Sequence, residues 1–468
     1  MRAKLACLVY QSATRLAQLV RTREVSAREV VEAHLRRIEA VEALNAVVTL
    51  VAPEVALEEA RRLDDAPRER LPPLAGVPMT IKDSFDTEGV VSAAGTLGRK
   101  SFVPKEDATV VARLKAAGAI LIAKTATPEL TLSLETESLV HGRTSNPWSL
   151  DRTSGGSSGG AAALVSAGGT PFDVGTDYGG SIRVPAHSCG TCGLKPTHGR
   201  VPRTGHILDD LAGATESFQT AGPIARTVED LELLLPIIAG PDGRDPHIHP
   251  VPLETCDDSI FENLRVAWHV EALARPVDAV CRAVEAAVDV LEAPVVHERK
   301  PTVDWDRVQP IWRGLAGADG GKVFADKLLD VGTSRISPAI QWTTTLPSDD
   351  TVTDLLQELG RFRRRMLDFM KDYDVIICPV SGDVACLHGT SRDNLAETFA
   401  YNYAYNLSGH PSVVVPFYFP EATSMPVGVQ VIANRWRDDV ALRVARRIEE
   451  RHPCAGWRPP PLFFFDAP

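Results

Sequence analysis

No run of about 18 uncharged apolar residues occurs along the 468-residue sequence, so no membrane-spanning helix is expected. Cysteine is scarce, 8 residues scattered over the whole length. That is too few for a disulfide scaffold, and reduced thiols are the expectation. Basic residues are outnumbered, 50 Lys+Arg against 61 Asp+Glu, for a formal charge of -11. A dedicated nucleic-acid binder needs a basic surface to neutralise phosphates, so that class is disfavoured. Internal repeats and long blocks of like charge are missing too. The apolar stretch Leu5 to Tyr10, behind two early cations, is too short for a signal-peptide core. A cytoplasmic chain with neither membrane nor nucleic-acid partner is therefore expected.

What remains is ordinary for a globular protein: 44% hydrophobic and 24% charged residues, enough to bury a large core. Length alone suggests roughly three domains of about 150 residues. Ser26 with Glu29 three residues on is a capping box, and Val30, Val31, Leu35 and Ile38 follow at helical spacing. Pro53 opens a second helical stretch through Leu63. From residue 71 the pattern alternates. Val77 to Lys82 reads as a strand, Ala108 to Ala117 as a helix closed by Gly118, and Ala119 to Ala123 as a buried strand. Thr127-Pro128-Glu129 predicts a further helix start. Leu264 to Trp268, Asp374 to Val380, Ser412 to Phe417 and Val427 to Ala433 read as strands. Pro276 to Leu291 and Asp438 to Glu450 read as helices. Between 300 and 370 the pattern is weak. The alternation predicts an α/β architecture around a largely buried sheet.

Residues 142–193 are rich in Gly, Ser and Ala, yet they interleave apolar runs, Ala161 to Val165 and Phe172 to Val174, that a flexible linker does not need. Three pieces stand out there and just upstream: Ile81-Lys82-Asp83, Gly155 to Gly160 around Ser157 and Ser158, and Gly175 to Arg183 around Ser181. Each serine group sits on a glycine-rich turn at one end of a helix–strand unit.

The strings GGSSGGAAALVSAGG, GTDYGGSIRVPA and CGTCGLKPTHGRV, with IKD and AGAILIAKTATPEL upstream, resemble the amidase signature family of serine hydrolases. The match spans roughly residues 74–230, and PVGVQVIANRWRDDVALRVA is similar to the family's closing strand and helix. The resemblance implies a mixed central β-sheet flanked by α-helices on both faces. It implies one domain over 1–468: an N-terminal helical segment (1–70) wrapping the core, a signature catalytic core (71–230) and a variable substrate-pocket region (300–400). By the same resemblance Ser181 is the acyl-forming nucleophile, Ser157 the bridging serine at a cis peptide bond, and Lys82 the base. The amides of Tyr178, Gly179, Gly180 and Ser181 match the oxyanion hole, and Ser158, Asp177 and Arg183 the supporting polar positions. The implied activity is hydrolysis of carboxylic amides, with anilides, aryl esters and carbamates within reach, and without cofactor or metal. The expected partner is a small-molecule amide, the chain acting as monomer or homodimer. The alternative is the glutamine-hydrolysing subunit of a tRNA-dependent amidotransferase, which shares the triad.

The chemistry is coherent. A serine hydroxyl attacks only as its proton is removed. Lysine can take that proton only when neutral, whereas an exposed lysine titrates near ~10.4; burial at the end of an apolar strand pulls that down. The rate is then expected to rise with pH through ~7–8. Asp83 would oppose the shift, but strand alternation turns it to the other face.

Other readings are weaker. Gly155 to Gly159 fits G-x-S-x-G, but a nucleophile elbow needs a strand directly before it, and Asn146 to Arg152 reads as a loop. A phosphate loop needs Gly-Lys-Ser/Thr, where Gly160 is followed by Ala161. Cys189 and Cys192, near His187 and His198, hint at zinc, but such a site takes four ligands and packing is the better reading. Trp305, Trp312 and Trp342 hint at an aromatic pocket, though core packing is commoner. The chain departs from the family at Tyr178, where a smaller residue is usual, at His198 and at Ala126; none is in the triad.

Overall fold

The structure is a computed structural model and describes residues 8–210, 213–344, 350–393 and 395–463. The start of the Leu5 to Tyr10 stretch, residues 5–7, lies outside the described residues.

The N-terminal helices form as the sequence predicts. The Ser26 hydroxyl accepts from the Glu29 amide and the Glu29 carboxylate accepts from the Ser26 amide, opening the helix Ala27–Ala40. Pro53 occupies the first turn of Pro53–Asp65, which packs on Ala27–Ala40.

One 11-stranded sheet organises the chain. Its strands lie in the order Val47–Leu50, Ile120–Thr125, Pro78–Lys82, Phe172–Asp177, Thr220–Ala225, Cys192–Lys195, Ser412–Phe417, Val427–Ala433, Val375–Pro379, Arg265–Trp268 and Val295–Glu298. Pairing is parallel around Pro78–Lys82 and around Arg265–Trp268, and antiparallel through the middle, so the sheet is mixed. Most central strands are buried along their whole length, which explains their continuous apolar runs. Alternate side chains feed two cores. Val413 and Val415 join one, with the helices Val228–Ile238, Asp278–Asp289 and Asp438–Arg451. Val414 joins the other, with Val308–Ala316, Val352–Phe369 and Leu395–Ser408. Helices thus cover both faces.

Two elements differ from expectation. Thr127-Pro128-Glu129 starts no α-helix: Glu129–Thr131 is a single 3-10 turn with Leu130 and Thr131 at φ 49° and 63°. The buried Glu129 carboxylate accepts from the Thr96 hydroxyl (2.8 Å) and the Ser337 amide (2.6 Å), which holds the chain in that turn. The weakly patterned stretch after 300 is helical, with Val308–Ala316, Lys322–Asp330 and Val352–Phe369.

Two parallel strands position the site. Pro78–Lys82 and Phe172–Asp177 are aligned with Thr80 beside Asp173 and Ile81 beside Val174, so Lys82 and Asp177 emerge at the same, carboxyl, end. Between them in sequence, the fully buried helix Gly159–Ser166 carries the first serine turn. A Cβ on Gly160 would lie 2.4 Å from the Ala126 amide nitrogen, so only glycine admits that helix start so close to the neighbouring chain.

Candidate active site

Lys82 ends its strand inside the protein, wholly shielded from solvent. Its Nζ lies 2.7 Å from Ser157 Oγ, 3.0 Å from Ser158 Oγ and 3.0 Å from Thr176 Oγ1. Those hydroxyls are themselves buried. Burial disfavours the ammonium and brings Lys82 down to about 7, while the charges of Asp173 and Asp177 pull the other way. The Gly156–Ser157 peptide bond is cis. Asp83 turns aside, as alternation predicts, and accepts from the Ala93 amide at 3.2 Å.

A low lysine pKa does not single out Lys82. Lys124 and Lys195 are equally buried and brought down by burial to about 8 and about 7. The partners distinguish them. Lys124 donates to Thr87 Oγ1 (2.7 Å) and Ser92 Oγ (3.0 Å), and Lys195 to the Pro196 carbonyl (3.1 Å). Among the three, Lys82 is the one bonded to the serine turn.

Ser181 stands at the floor of the neighbouring cavity, 6% exposed. The Ser158 amide donates to the Ser181 carbonyl at 3.1 Å, which ties the two serine turns together. Among the described residues the Ser157 and Ser181 hydroxyls form no direct hydrogen bond. Lys82 and Ser157 are thus in contact, and Ser181, tied to the same turn through its carbonyl, lines the cavity.

The loop carrying Ser181 is shaped by Asp177. Its carboxylate accepts from the amides of Gly180 (2.8 Å) and Ile182 (3.1 Å), and from Arg183 Nε (3.0 Å) and Nη2 (2.9 Å). Burial alone would raise Asp177, but the charge and hydrogen bonds of Arg183 and the Asn406 amide hold it well below the usual carboxylate range. The Gly180 amide is therefore already engaged, whereas those of Tyr178, Gly179 and Ser181 meet no acceptor among the described residues. This narrows the expected oxyanion donors. A short helix, Arg183–Cys189, follows Ser181 directly.

Sequence reasoning missed Thr176, the third hydroxyl on Lys82, although it directly precedes Asp177. It also missed Asn402 and Asn406, which brace the loop from distant parts of the chain; Trp312, read from sequence only as a hint of an aromatic pocket, both lines the cavity and braces the loop. Asn406 donates to Asp177 Oδ1 (2.9 Å), and Trp312 Nε1 to the Tyr178 carbonyl (2.9 Å). No local pattern announces such contacts.

The cavity over Ser181 measures about 400 Å³. Gln309, Trp312, Arg313, Ser391, Arg392 and Leu395 line it from within 300–400; Thr131 to Leu134, Tyr178, Gly179 and Tyr403 line it from elsewhere. The Trp312 ring stands 4.9 Å from those of both Tyr178 and Tyr403. Trp305 lies in the core against His269 instead, and the side chain of Trp342 lies outside the described residues. Cys189 and Cys192 are buried and unbridged, with thiols pushed well up by burial. Among the described residues, no group of three or more His, Cys, Asp or Glu is placed to hold a metal, and no helix is long and apolar enough to cross a membrane.

A mixed sheet with a serine- and glycine-rich site at the ends of its parallel strands defines the class: the chain belongs to the Amidase family, whose model matches residues 29–442, and is an amide-hydrolysing enzyme. Relatives agree over nearly full length. An acylamidase of Rhodococcus erythropolis is 34% identical over 97% of this chain and 98% of its own. A glutamyl-tRNA(Gln) amidotransferase subunit from Oleidesulfovibrio alaskensis is 32% identical over 96% and 98%. Among solved structures, a 6-aminohexanoate cyclic dimer hydrolase complexed with substrate superposes with a TM-score of 0.85 at 27% identity, over 97% of this chain and 100% of that one. A bacterial aryl acylamidase of the amidase signature family gives 0.80 at 27%, over 95% and 96%.

Proposed function

We propose that the protein hydrolyses small-molecule carboxylic amides through an acyl-enzyme on Ser181, with Lys82 as base and Ser157 as relay. The observation that carries this is the 2.7 Å approach of a wholly buried Lys82 Nζ to Ser157 Oγ, beside the cavity that Ser181 enters. At neutral pH an appreciable fraction of Lys82 is uncharged and accepts the Ser157 proton, while Ser157 accepts that of Ser181. Ser181 Oγ bonds to the carbonyl carbon, and the developing oxyanion is received by amides of the set Tyr178, Gly179 and Ser181. The C–N bond then breaks, the same chain returns the proton to the departing amine, and an ester on Ser181 remains. Water, activated through Ser157 and Lys82, releases the acid. Ser158 and Thr176 hold the Lys82 amine in place, and Asp177 with Arg183 fixes the nucleophile loop. No step calls for a metal or organic cofactor.

Anilides, aryl esters and carbamates fit the same nucleophile and oxyanion donors. We place this activity in the cytoplasm, in a chain working as monomer or homodimer and without nucleic acid, in keeping with a net charge of -11. A second reading, ammonia release from glutamine for a tRNA-dependent partner assembly, is favoured by the 32% identity to a glutamyl-tRNA(Gln) amidotransferase subunit. Purified chain assayed alone on 4-nitroanilides and on glutamine separates the two. Anilide turnover without partners, lost in Ser181→Ala, supports the hydrolase; glutamine turnover that needs partner chains would replace it with the second reading.

A further inference from the structure

The cavity over Ser181 has an unusual charge pattern for a chain of net charge -11: among the described residues its charged lining side chains are Arg313 and Arg392, and no carboxylate lines it. Gln309, Trp312 and Arg313 are spaced i, i+3 and i+4 on the helix Val308–Ala316 and so share one face, which brings a flat ring and a guanidinium to the same wall. Arg392 enters from another element, just ahead of the helix Leu395–Ser408 that supplies Tyr403. Both line the same cavity, and both charges act on the buried Tyr403 phenol, pulling against the upward push of burial. Both side chains are exposed at the cavity mouth, and neither has an ion-pair partner among the described residues; Arg392 donates only to the Ala339 carbonyl. Two guanidinium groups without an ion-pair partner among the described residues, in a cavity walled by Tyr178, Trp312 and Tyr403, match a planar anion, to which guanidinium binds through paired hydrogen bonds.

We propose that the substrate is an amide bearing a carboxylate away from the scissile bond, with an aromatic or other flat apolar body along the Trp312–Tyr403 wall and the carboxylate held between Arg313 and Arg392. This rests on the reading of the cavity as an amide-cleaving site and adds to it the class of amide.

Two matched pairs test it. Glutaryl-4-nitroanilide against pentanoyl-4-nitroanilide places the charge on the acyl side, and 4-acetamidobenzoate against 4-acetamidotoluene places it on the amine side. In at least one pair the charged member is expected to have about tenfold higher kcat/KM at low ionic strength, an advantage that shrinks with added salt. The reversed double variant R313E/R392E is expected to prefer the neutral member of that pair. Equal or neutral preference in both pairs, or a charged preference that survives the reversal, would overturn the proposal. Calorimetric binding of the same four compounds to Ser181→Ala gives the comparison without turnover. If the native chain cleaves none of them yet binds the charged members more tightly, the anion site stands and the hydrolytic reading fails.

Discussion

At the scale of single residues, the distinction among the buried lysines matters most. Lys82, Lys124 and Lys195 are all brought down by desolvation, so a titration cannot by itself name the base; what sets Lys82 apart, and supports the role proposed for it, is its bond to the serine turn. The activity is expected to rise with pH along a limb near about 7, where Lys82 loses its proton. Asp173 tunes that limb. It is buried beside Thr80 and Thr125, whose hydroxyls donate to its Oδ2 at 2.6 and 3.0 Å, and its Oδ1 has no partner among the described residues. Burial raises this carboxyl to about 6, so it is largely charged where Lys82 titrates, and its charge favours the ammonium. Asp173→Asn removes that charge and is expected to move the limb to lower pH, read from kcat/KM between pH 5 and 9; a limb moving upward would contradict the assignment. Lys82, Ser157 and Ser181 were legible because they sit in long ordered motifs. Thr176 and Asp173 were not, because what makes them relevant is strand pairing across the sheet, which no local spacing encodes.

At the scale of elements, the loop carrying Ser181 is held by a buried ion pair and by one glycine. Asp177 and Arg183 are both inaccessible and doubly hydrogen-bonded to each other. Asp177→Asn leaves the guanidinium uncompensated and is expected to cost about 3–5 kcal/mol of stability, measurable by denaturant unfolding. A loss below the error of that measurement would show the pair is not what orders the loop. Gly180 has φ +116°, and a Cβ there would meet Asn402 Cγ at 2.9 Å. Gly180→Ala combines backbone strain of about 1–3 kcal/mol with a displaced oxyanion loop, so kcat is expected to fall further than stability alone explains. Unchanged kcat would mean the loop tolerates the shift. The strands and the N-terminal helices could be read from apolar runs, a capping box and a first-turn proline. The Thr127-Pro128-Glu129 segment could not, because its helix-start signal yields to Thr96 and Ser337, which capture the Glu129 carboxylate. The helix Val308–Ala316 was faint because it is short and carries Pro310 and Gly314, two residues that weaken a helical pattern, although its apolar Val308, Ile311, Trp312 and Leu315 share a face.

At the scale of the whole molecule, the sheet joins strands drawn from residues 47 to 433, and each of its faces carries its own helical layer and core. The Lys82–Ser157 cluster and the Ser181 loop come from the first half of the chain. Much of the cavity wall, including Trp312, Arg392 and Tyr403, comes from the second. The motifs therefore point to the proposed chemistry, while the pocket was legible only as the region 300–400 with Trp312: its lining residues are scattered over separate helices and loops, brought together only by packing. A chain whose site is completed by its own two halves is expected to turn over anilides unaided, with a rate per chain that does not change when amidotransferase partner chains are added. A rate that depends on such partners would point to the amidotransferase role.

An acyl ester on Ser181, formed with the help of Lys82, is the species on which the whole mechanism turns. Acid quenching during turnover of a slowly deacylating aryl ester, followed by peptide mass spectrometry, looks for it without intermediaries. One acyl adduct per chain is expected on the peptide containing Ser181, absent from Ser181→Ala and strongly reduced in Lys82→Ala. An adduct on another residue, or turnover persisting in Ser181→Ala, would contradict the mechanism.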